Sequence, residues 1–366
     1  MIFWIEEDLK ISYSQLLVDL NKKETSLKIP GYNYFLCLLI NLCEKVKAHS
    51  HEDIINYLLD NKELLSFNIN TSGTTSTPKS IEVKLSNCIR YVKINYENNK
   101  SVWGMGYPAG SFASTQVFFQ ALINKETIVY LFGIDFKNSD NIFSNYTITN
   151  LSCTPTFLSM LLINLRNVYP SVKKITTGGE KVKSNLIQVL NKTFISSEYI
   201  NIYASTETGS LLYSNSEFFS IPEKHKRYLK IEDNTLRVHR TLLNKVTQIN
   251  DEWYNTNDLV EFVNKSQFRF VSRSNGYLNT GGFRITPSEI ENNIMSIFGV
   301  HDVHVYGKPN SLLGTIICAD IIGKDINSHY IKTELTKFCE KQKIPQVIRI
   351  VNSFEHISNG KKKLMI

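Results

Sequence analysis

The stretch of this chain most suited to chemistry is rich in small hydroxyl side chains and ends in a lysine and a serine. It reads Asn70-Thr71-Ser72-Gly73-Thr74-Thr75-Ser76-Thr77-Pro78-Lys79-Ser80. Gly73 can adopt backbone conformations that other residues avoid, and backbone N–H groups together with Ser and Thr hydroxyls can surround a phosphate group. The composition predicts an anion-binding loop, and a solvated Ser/Thr turn is the alternative interpretation.

A Walker phosphate loop is a further interpretation of this stretch. Gly73, Lys79 and Ser80 have the spacing of that motif, in which a second glycine directly precedes the lysine. Pro78 occupies the position of that second glycine. Because proline lacks the N–H group that a phosphate would need, the substitution argues against a P-loop nucleotidase. That class would also require a strand directly before Gly73 and a downstream Walker-B carboxylate.

Residues 70–80 resemble the phosphate loop of the adenylate-forming (ANL) superfamily, which comprises acyl-CoA and aryl-CoA synthetases, peptide-synthetase adenylation domains and luciferases. Other stretches of the chain resemble the remaining motifs of that superfamily, in the same order. They lie at residues 11–17, 177–180, 201–207, 253–259, 272–275, 281–285 and 358–361. This ordered series is far more specific than any one motif.

The resemblance implies a site for ATP and Mg²⁺. It implies that Tyr203 stacks on adenine, that Thr206 contacts the α-phosphate and that Glu207 holds Mg²⁺. A carboxylate suits this hard cation, which prefers oxygen ligands and the phosphates of a nucleotide. Asp258 would accept hydrogen bonds from the ribose hydroxyls. The implied nucleotide-binding set comprises Thr71, Ser72, Gly73, Thr74, Thr75, Lys79, Gly179, Glu180, Asn201, Tyr203, Ala204, Thr206, Asp258 and Arg273.

Lys361, close to the C-terminus, resembles the mobile-loop lysine of the superfamily, and is implied to be catalytic together with Thr206 and Glu207. In the implied reaction a carboxylate attacks the α-phosphate of ATP to give acyl-AMP and pyrophosphate. Negative charge builds on the reacting groups, so an ammonium group brought into the site stabilises the transition state more than the ground state. A solvated basic tail that includes Lys362 and Lys363 is the alternative interpretation.

The acid substrate is implied to bind beside the start of a helix in residues 107–119. Ala113 stands where amino-acid-activating relatives place an aspartate. An aryl, acyl or hydroxy acid is therefore expected rather than an α-amino acid. The implied pocket residues are Ser111, Phe112, Gln116 and Gly178.

A thiol is the implied acceptor of the acyl group. Gly281 and Gly282 match the loop that lines the pantetheine tunnel in relatives. The thiol would belong to CoA or to the phosphopantetheine of a carrier protein. Compact, standalone ligases of this kind resemble loaders for a biosynthetic pathway, which favours the carrier protein.

The chain also departs from the superfamily pattern. Fewer residues than usual separate its first motif from the phosphate loop, so the first subdomain is expected to be shortened. Replacements occur at Ala204, Asn257, Asn275 and Asn279; Asn257 takes the place of a glycine, and asparagine tolerates the left-handed conformation. These changes suggest a catalytically degenerate adenylate-binding or scaffold protein as the alternative. The presence of Lys79, Glu207, Asp258 and Lys361 argues against it.

Short β-branched runs alternate with helical patterns between residues 127 and 203. This alternation predicts a mostly parallel sheet with crossover helices, in which ligands bind beyond the carboxyl ends of the strands. Together with the resemblance it predicts an α/β fold. We expect a large N-terminal domain at residues 1–273 and a small C-terminal α+β domain at residues 276–366, with a hinge near 274–275.

Three local patterns give sharper predictions. Ser86 is expected to cap a helix over residues 87–96. Thr286 and Glu289 are expected to form a capping box, with Pro287 in the first helical position. Phe338 is expected to share a helix face with Ile331 and Leu335.

Composition limits the remaining possibilities. The 366 residues are 42% hydrophobic and 20% charged, which is typical of an ordinary globular protein. The net charge of +7 is interspersed, so a nucleic-acid partner is not favoured. Six cysteines without a CxxC spacing predict buried, reduced thiols of a cytoplasmic protein. An acidic N-terminus and the lack of a long apolar run give no reason to expect a signal peptide or a membrane partner.

Overall fold

A computed structural model of the chain describes residues 1–25, 27–71, 79–94, 101–182, 184–244, 251–273, 278–280, 283–310 and 314–352. The chain divides into two compact units. The first comprises Met1–Phe219 and Val238–Tyr254, and the second comprises Ser220–Arg237 and Asn255–Ile366. The expected domain boundary and hinge stay a prediction, because residues 274–277 lie outside the described part of the chain.

The first unit alternates strands and helices. Its strands are β1 (Ile2–Glu6), β2 (Leu9–Ser12), β3 (Ser66–Thr71), β4 (Lys79–Lys84), β5 (Val102–Gly106), β6 (Thr127–Tyr130), β7 (Asn150–Cys153), β8 (Lys174–Gly178), β9 (Glu198–Ser205) and β10 (Gly209–Ser214). Its helices are α1 (Tyr13–Lys22), α2 (Pro30–Leu42), α3 (His51–Asp60), α4 (Leu85–Cys88), α5 (Phe112–Ile123), α6 (Ser139–Tyr146), α7 (Pro155–Asn164) and α8 (Ser184–Thr193).

Within the described residues, eight strands of the first unit form one sheet in the order β10-β9-β8-β7-β5-β6-β1-β2. The six central strands run parallel to one another, whereas β10 and β2 pair antiparallel at the two edges. Strands β3 and β4 form a separate antiparallel hairpin. The predicted parallel sheet with crossover helices is confirmed.

The N-terminal segment is built into the core of the first unit. Strand β1 lies beside β6, and Trp4 stacks on Tyr130 with ring centroids 5.4 Å apart. The buried Glu6 carboxylate accepts hydrogen bonds from the Trp4 indole and from the backbone N–H groups of Gly31 and Tyr32, at the start of α2. A negative charge at this position favours the helix N-terminus. Glu6 thereby joins the start of α2 to the large sheet.

The second unit carries most of a four-stranded sheet and all of a five-stranded sheet, counted over the described residues. The first sheet has the order β11 (Leu229–Glu232), β12 (Thr235–His239), β13 (Trp253–Phe262) and β14 (Phe268–Arg273). The second consists of β15 (Leu278–Thr280), β16 (Phe283–Ile285), β17 (Val300–Asn310), β18 (Gly314–Gly323) and β19 (Val347–Ile350), with helices α9 (Pro287–Met295) and α10 (Ser328–Thr336). Ile290 and Ile294 are buried with β17 and β18 in one apolar cluster, which confirms an α+β arrangement.

One predicted helix start is wrong, and one predicted capping box is absent. Helix α4 covers only Leu85–Cys88, and the Ser86 hydroxyl donates to Glu63 instead of capping. Backbone hydrogen bonds from the Leu85 N–H to the Leu65 carbonyl and from the Ser86 N–H to the Lys62 carbonyl fix this start at Leu85, two residues earlier than predicted. Helix α9 begins at Pro287 as predicted, but Thr286 makes no side-chain cap and the Glu289 N–H donates to the Thr286 carbonyl instead. The Glu289 carboxylate, which would complete a capping box, accepts from Lys343 at 2.7 Å.

Two predictions of burial are also wrong. Helix α10 ends at Thr336, so Phe338 lies beyond the face shared by Ile331 and Leu335 and is 54% exposed. All six cysteines are free thiols, but Cys37 is exposed on the solvent side of α2. Among the helices of the described residues, none has both the length and the apolar character required to cross a bilayer.

Candidate functional site

Two of the predicted motifs lie side by side at the carboxyl ends of the parallel strands β8 and β9. Thr177 pairs with Asn201 and Gly178 pairs with Ile202. Strand β8 ends at Gly178, whereas β9 continues to Ser205. Residues 203–205 therefore extend past the end of β8, and the two motifs share one edge of the sheet. This edge is where parallel α/β sheets bind ligands.

The two glycines at the end of β8 lie where a side chain is disfavoured. A Cβ atom at Gly178 would lie 3.0 Å from the carbonyl oxygen of Ile202 and 3.8 Å from the Tyr107 hydroxyl. Gly179 has φ +84°, in the left-handed region that side chains disfavour. Both positions therefore suit glycine, Gly178 because of the neighbouring strand and Gly179 because of its backbone conformation. The close approach of a flat base stays a prediction.

Glu180 has a structural partner in addition to its expected role. Its Oε2 accepts a hydrogen bond from the Thr156 backbone N–H at 3.0 Å, at the start of α7. The carboxylate lies at the positive end of that helix, which is a favourable place for a negative charge. Glu180 thus joins the end of β8 to α7, with one carboxylate oxygen already engaged.

Asn201, Tyr203 and Ala204 lie on β9. The Asn201 side chain is buried, and its amide donates to the Ser216 carbonyl at 3.0 Å, in the segment that follows β10. Tyr203 and Ala204 are half-buried at the end of the strand. The Asn201 amide thus joins β9 to the segment after β10. Tyr203 lies two residues further along β9, past the end of β8.

Thr206 and Glu207 form the turn between β9 and β10. The carbonyl of Thr206 accepts from Asn244 Nδ2, and the carbonyl of Glu207 accepts from the Asn244 backbone N–H, both at 2.7 Å. Within the turn, the Ser205 and Thr208 hydroxyls lie 3.0 Å apart. No motif of the sequence indicated Asn244, because its contacts join positions that are distant along the chain.

Glu207 is the residue predicted to hold a divalent cation. Its side chain is half-buried, and its backbone is fixed by Asn244. Over the described residues, no group of three His, Cys, Asp or Glu side chains is arranged to hold a metal. A single carboxylate is nevertheless a suitable partner for Mg²⁺ that also binds nucleotide phosphates, and Glu207 fits that requirement.

The predicted acid-pocket residues lie at the start of α5. Ser111 caps the helix by accepting from the Ser114 N–H at 3.1 Å, and Phe112 is buried. Gln116 accepts from the Ser210 hydroxyl at 3.1 Å and donates to the Cys88 carbonyl at 3.2 Å. Both ends of the Gln116 amide thus join α5 to β10 and α4.

The loop before α5 is held by aromatic residues that sequence reasoning did not identify. The Tyr130 hydroxyl accepts from the Ala109 N–H at 2.9 Å. Tyr107 is buried, and its hydroxyl donates to the Cys153 carbonyl at 2.7 Å. Burial raises the pKa of Tyr107 well above its ordinary value, so this hydroxyl stays protonated.

The predicted phosphate loop connects two antiparallel strands. Strands β3 and β4 pair in register up to Thr71 and Lys79, and residues 72–78 lie between them. A Walker loop leads from a strand into a helix, whereas here β4 follows. This topology argues against the P-loop nucleotidase interpretation.

The second unit contains the predicted ribose-binding residue, Asp258, half-buried on β13. The preceding residue, Asn257, has φ +59°, which confirms that asparagine maintains the left-handed turn. The Thr256 hydroxyl donates to the Leu236 carbonyl at 2.9 Å and accepts from the Asp258 N–H at 3.1 Å. Asp258 pairs with Arg273 in the β13–β14 ladder.

Several predicted site residues lie outside the described residues, and their roles stay predictions. They are Ser72, Gly73, Thr74, Thr75, Gly281, Gly282 and Lys361, together with the expected hinge. For Thr71, Lys79 and Arg273 the strand position is described but the side chain is not.

Curated proteins with similar sequences support this picture of the chain. A 2-succinylbenzoate–CoA ligase from Listeria monocytogenes is 23% identical over 318 residues, which cover 80% of this chain and 67% of that protein. A relative from Staphylococcus epidermidis, named as a long chain fatty acid–CoA ligase, is 25% identical over 228 residues, which cover 58% of this chain and 50% of that protein. The chain thus spans about half to two thirds of the length of these relatives.

Solved structures share the fold over the whole chain. The o-succinylbenzoate CoA synthetase of Bacillus subtilis, in complex with its acyl-adenylate intermediate, has a TM-score of 0.66 at 16% identity, and covers 100% of this chain and 94% of that one. The same enzyme in complex with ATP and magnesium has a TM-score of 0.65, also at 16% identity, with coverage of 100% and 95%. The predicted ANL fold is therefore confirmed.

Family models match both parts of the chain. The model described as AMP-binding enzyme matches residues 48–232, just over half of the chain. The model described as AMP-binding enzyme C-terminal domain matches residues 289–361. The first match contains the phosphate-loop hairpin and the ends of β8 and β9, and the second contains Lys361. The chain belongs to the AMP-binding enzyme family.

Proposed function

We propose that this chain is an AMP-forming acid–thiol ligase. It activates a carboxylic acid with ATP, releases pyrophosphate and transfers the acyl group from acyl-AMP to a thiol. The observation that carries the proposal is the convergence of Gly178–Glu180 with Tyr203–Glu207 at one edge of the parallel sheet, in a chain of the AMP-binding enzyme family. Three neighbouring functions follow from this edge: a surface for adenine, a contact for the α-phosphate and a carboxylate for Mg²⁺.

In the proposed reaction, the glycines after β8 give adenine access to the backbone and Tyr203 packs on its ring. Thr206 orients the α-phosphate towards the acid carboxylate, which attacks phosphorus as pyrophosphate leaves. Mg²⁺, when bound by Glu207, neutralises phosphate charge. Holding the acid and ATP in line supplies a large part of the rate acceleration, and Lys361 stabilises the charge that develops.

The acceptor in the proposed second step is a pantetheine thiol. The Listeria and Bacillus relatives are named as CoA ligases or synthetases, which favours CoA over a carrier protein. Their named acid is aromatic, in agreement with the expectation from Ala113 that the substrate is not an α-amino acid. We place the hinge for the change between the two steps near residues 274–275, and the enzyme in the cytoplasm.

Acid-dependent exchange of pyrophosphate into ATP tests this function. A panel of aryl, short acyl, hydroxy and amino acids is assayed with the wild type and with Lys361→Ala. We expect exchange with one class of acid, reduced in the variant by about 100-fold or more. Thioester formation is then measured with CoA and with a phosphopantetheinylated carrier protein.

One result would contradict the proposal, and a second would change only its mechanism. ATP binding without exchange for any acid would support the degenerate adenylate-binding alternative. Exchange that is unchanged in Lys361→Ala would remove this lysine from the mechanism while leaving the activity of the chain intact.

A further inference from the structure

We propose that Asn244 is a positioning residue, and that a chain of hydrogen bonds running through it from Arg90 and Asn87 holds the Thr206–Glu207 turn in the geometry that Mg-ATP binding requires. The proposal rests on the proposed roles of these two turn residues. We call the group formed by Arg90, Asn87 and Asn244 the amide relay.

The relay begins at α4. An Arg90 guanidinium N–H donates to Asn87 Oδ1 at 2.7 Å, and Asn87 Nδ2 donates to Asn244 Oδ1, also at 2.7 Å. Asn244 Nδ2 then donates to the Thr206 carbonyl at 2.7 Å. Each bond is short, and the chain joins a cation to the turn through two side-chain amides.

The direction of the relay is fixed by chemistry. A guanidinium group has only donors, so Asn87 has to present its oxygen to Arg90 and its nitrogen to Asn244. Asn244 then has to present its own nitrogen to Thr206. No amide can be reversed without losing a hydrogen bond, and consecutive hydrogen bonds strengthen one another in a region of low dielectric.

Asn244 fixes two successive peptide groups of the turn. Its side chain binds the Thr206 carbonyl, and its backbone N–H binds the Glu207 carbonyl at 2.7 Å. Asn244 is 3% exposed, so water cannot readily replace these bonds. The orientation of the two peptide planes limits the positions that the Thr206 hydroxyl and Glu207 carboxylate can reach.

The relay also connects the turn to the phosphate-loop hairpin. Helix α4 directly follows β4, the second strand of that hairpin. Gly209, the first residue of β10, lies against α4, since a Cβ atom added there would be 3.5 Å from the Asn87 carbonyl oxygen. The Gln116 side chain bonds to both the Cys88 carbonyl and the Ser210 hydroxyl. Helix α4 therefore contacts the start of β10 directly and through α5. The relay thus joins the Thr206–Glu207 turn to α4, the segment that directly follows the hairpin.

Asn244→Asp is the discriminating variant. Aspartate keeps the backbone N–H and can still accept from Asn87, but it loses the donor to Thr206 and places negative charge against that carbonyl. Asn87→Ala breaks the relay one step earlier. Asn164→Asp is the matched control, because the Asn164 amide also donates to a backbone carbonyl, that of Met160 at 2.8 Å, on a helix outside the relay.

The measurement is ATP binding by calorimetry over a range of Mg²⁺ concentrations, together with pyrophosphate exchange. In Asn244→Asp we expect the Mg²⁺ concentration for half-maximal ATP binding to rise about tenfold. The KM for the acid should change about twofold at most. Asn87→Ala should shift the Mg²⁺ dependence in the same direction, and adding Asn87→Ala to Asn244→Asp should cost less than the sum of the two changes. Asn164→Asp should leave the Mg²⁺ dependence unchanged.

An unchanged Mg²⁺ dependence in a folded Asn244→Asp variant would overturn the relay proposal, as would equal losses in Asn164→Asp. If Asn244→Asp does not fold, the same criterion applies to Asn87→Ala. Failure of the adenylation proposal is recognised separately. A wild type that binds Mg-ATP but exchanges no pyrophosphate contradicts adenylation only, and the relay is still decided by binding. A wild type without Mg-ATP binding contradicts both.

Discussion

The turn at Thr206–Glu207 in the first unit and the local turn that Asn255–Asp258 form within strand β13 of the second unit each carry a carboxylate expected to serve the nucleotide, but they are held in different ways. In the second turn, the N–H of Asn257 donates to the Asn255 side chain at 2.9 Å, and the N–H of Asp258 donates to Thr256. In the first turn, both carbonyls accept from Asn244, almost forty residues further along the chain.

This difference teaches which parts of a site can be predicted from local sequence. Side chains of Asn and Thr that bind backbone groups two residues away form turns that their own sequence encodes. A turn held by a distant asparagine has no such local signal. The conformation of such a turn also depends on how α4 and residues 240–244 pack. Substitutions in the two turns should therefore affect different properties.

The largest expected effect is on activity, at Glu207. Glu207→Gln keeps the size of the side chain but removes the charge that Mg²⁺ requires, so acid-dependent pyrophosphate exchange should fall about 100-fold. The midpoint of thermal unfolding should be little changed, because the Glu207 carboxylate makes no hydrogen bond within the part of the chain that the structure describes. Glu198→Gln, at the exposed beginning of the same strand, is the matched control. Equal activity of Glu207→Gln and wild type would remove Glu207 from the site.

A smaller effect is expected on stability, at Thr256. Thr256→Val keeps the shape but removes the donor to Leu236 and the acceptor for the Asp258 N–H. Because Thr256 is buried, the free energy of unfolding should fall by about 2 kcal/mol, measured by urea denaturation. The control is Thr333→Val, since the Thr333 hydroxyl bonds to His329 on an exposed helix face. A loss no greater than that of the control would show that the Thr256 bonds contribute little.

The smallest expected effect separates the backbone of Asn257 from its side chain. At φ +59° alanine is strained and glycine is not. Asn257→Ala should therefore be less stable than Asn257→Gly by about 1 kcal/mol, in the same urea assay. Both variants lose the asparagine side chain, so their difference reports the backbone conformation alone. Equal stabilities would mean that the left-handed turn is not maintained in solution.

The fold was predictable because its signals are periodic and local. Alternating β-branched runs predicted strands β6 to β9 with their crossover helices, and the structure has them in a parallel sheet. The errors occur where distant groups compete with local ones. Lys343 takes the carboxylate that a capping box at Thr286 would need, and backbone bonds from residues 85 and 86 to residues 65 and 62 move the start of α4.

The same division applies to the candidate site. The order of motifs predicted that the 177–180 and 201–207 stretches lie together, because parallel strands bring their carboxyl ends to one edge. The sequence did not indicate that Glu180 caps α7, that both ends of the Gln116 amide are engaged, or that Tyr107 bonds to the Cys153 carbonyl. These roles depend on which backbone groups other elements leave without partners.

The sequence by itself determined the class of fold and the family, and it predicted which residues contact a nucleotide, because residue type and spacing limit what a segment can form and which ligands it can contact. Only the tertiary structure decided how those residues are held. The Glu6 carboxylate at the start of α2 and the amide relay to the Thr206–Glu207 turn both satisfy buried polar groups with partners far away in sequence. Such partners are chosen by packing, since a buried donor or acceptor without a partner is costly wherever it lies in the chain.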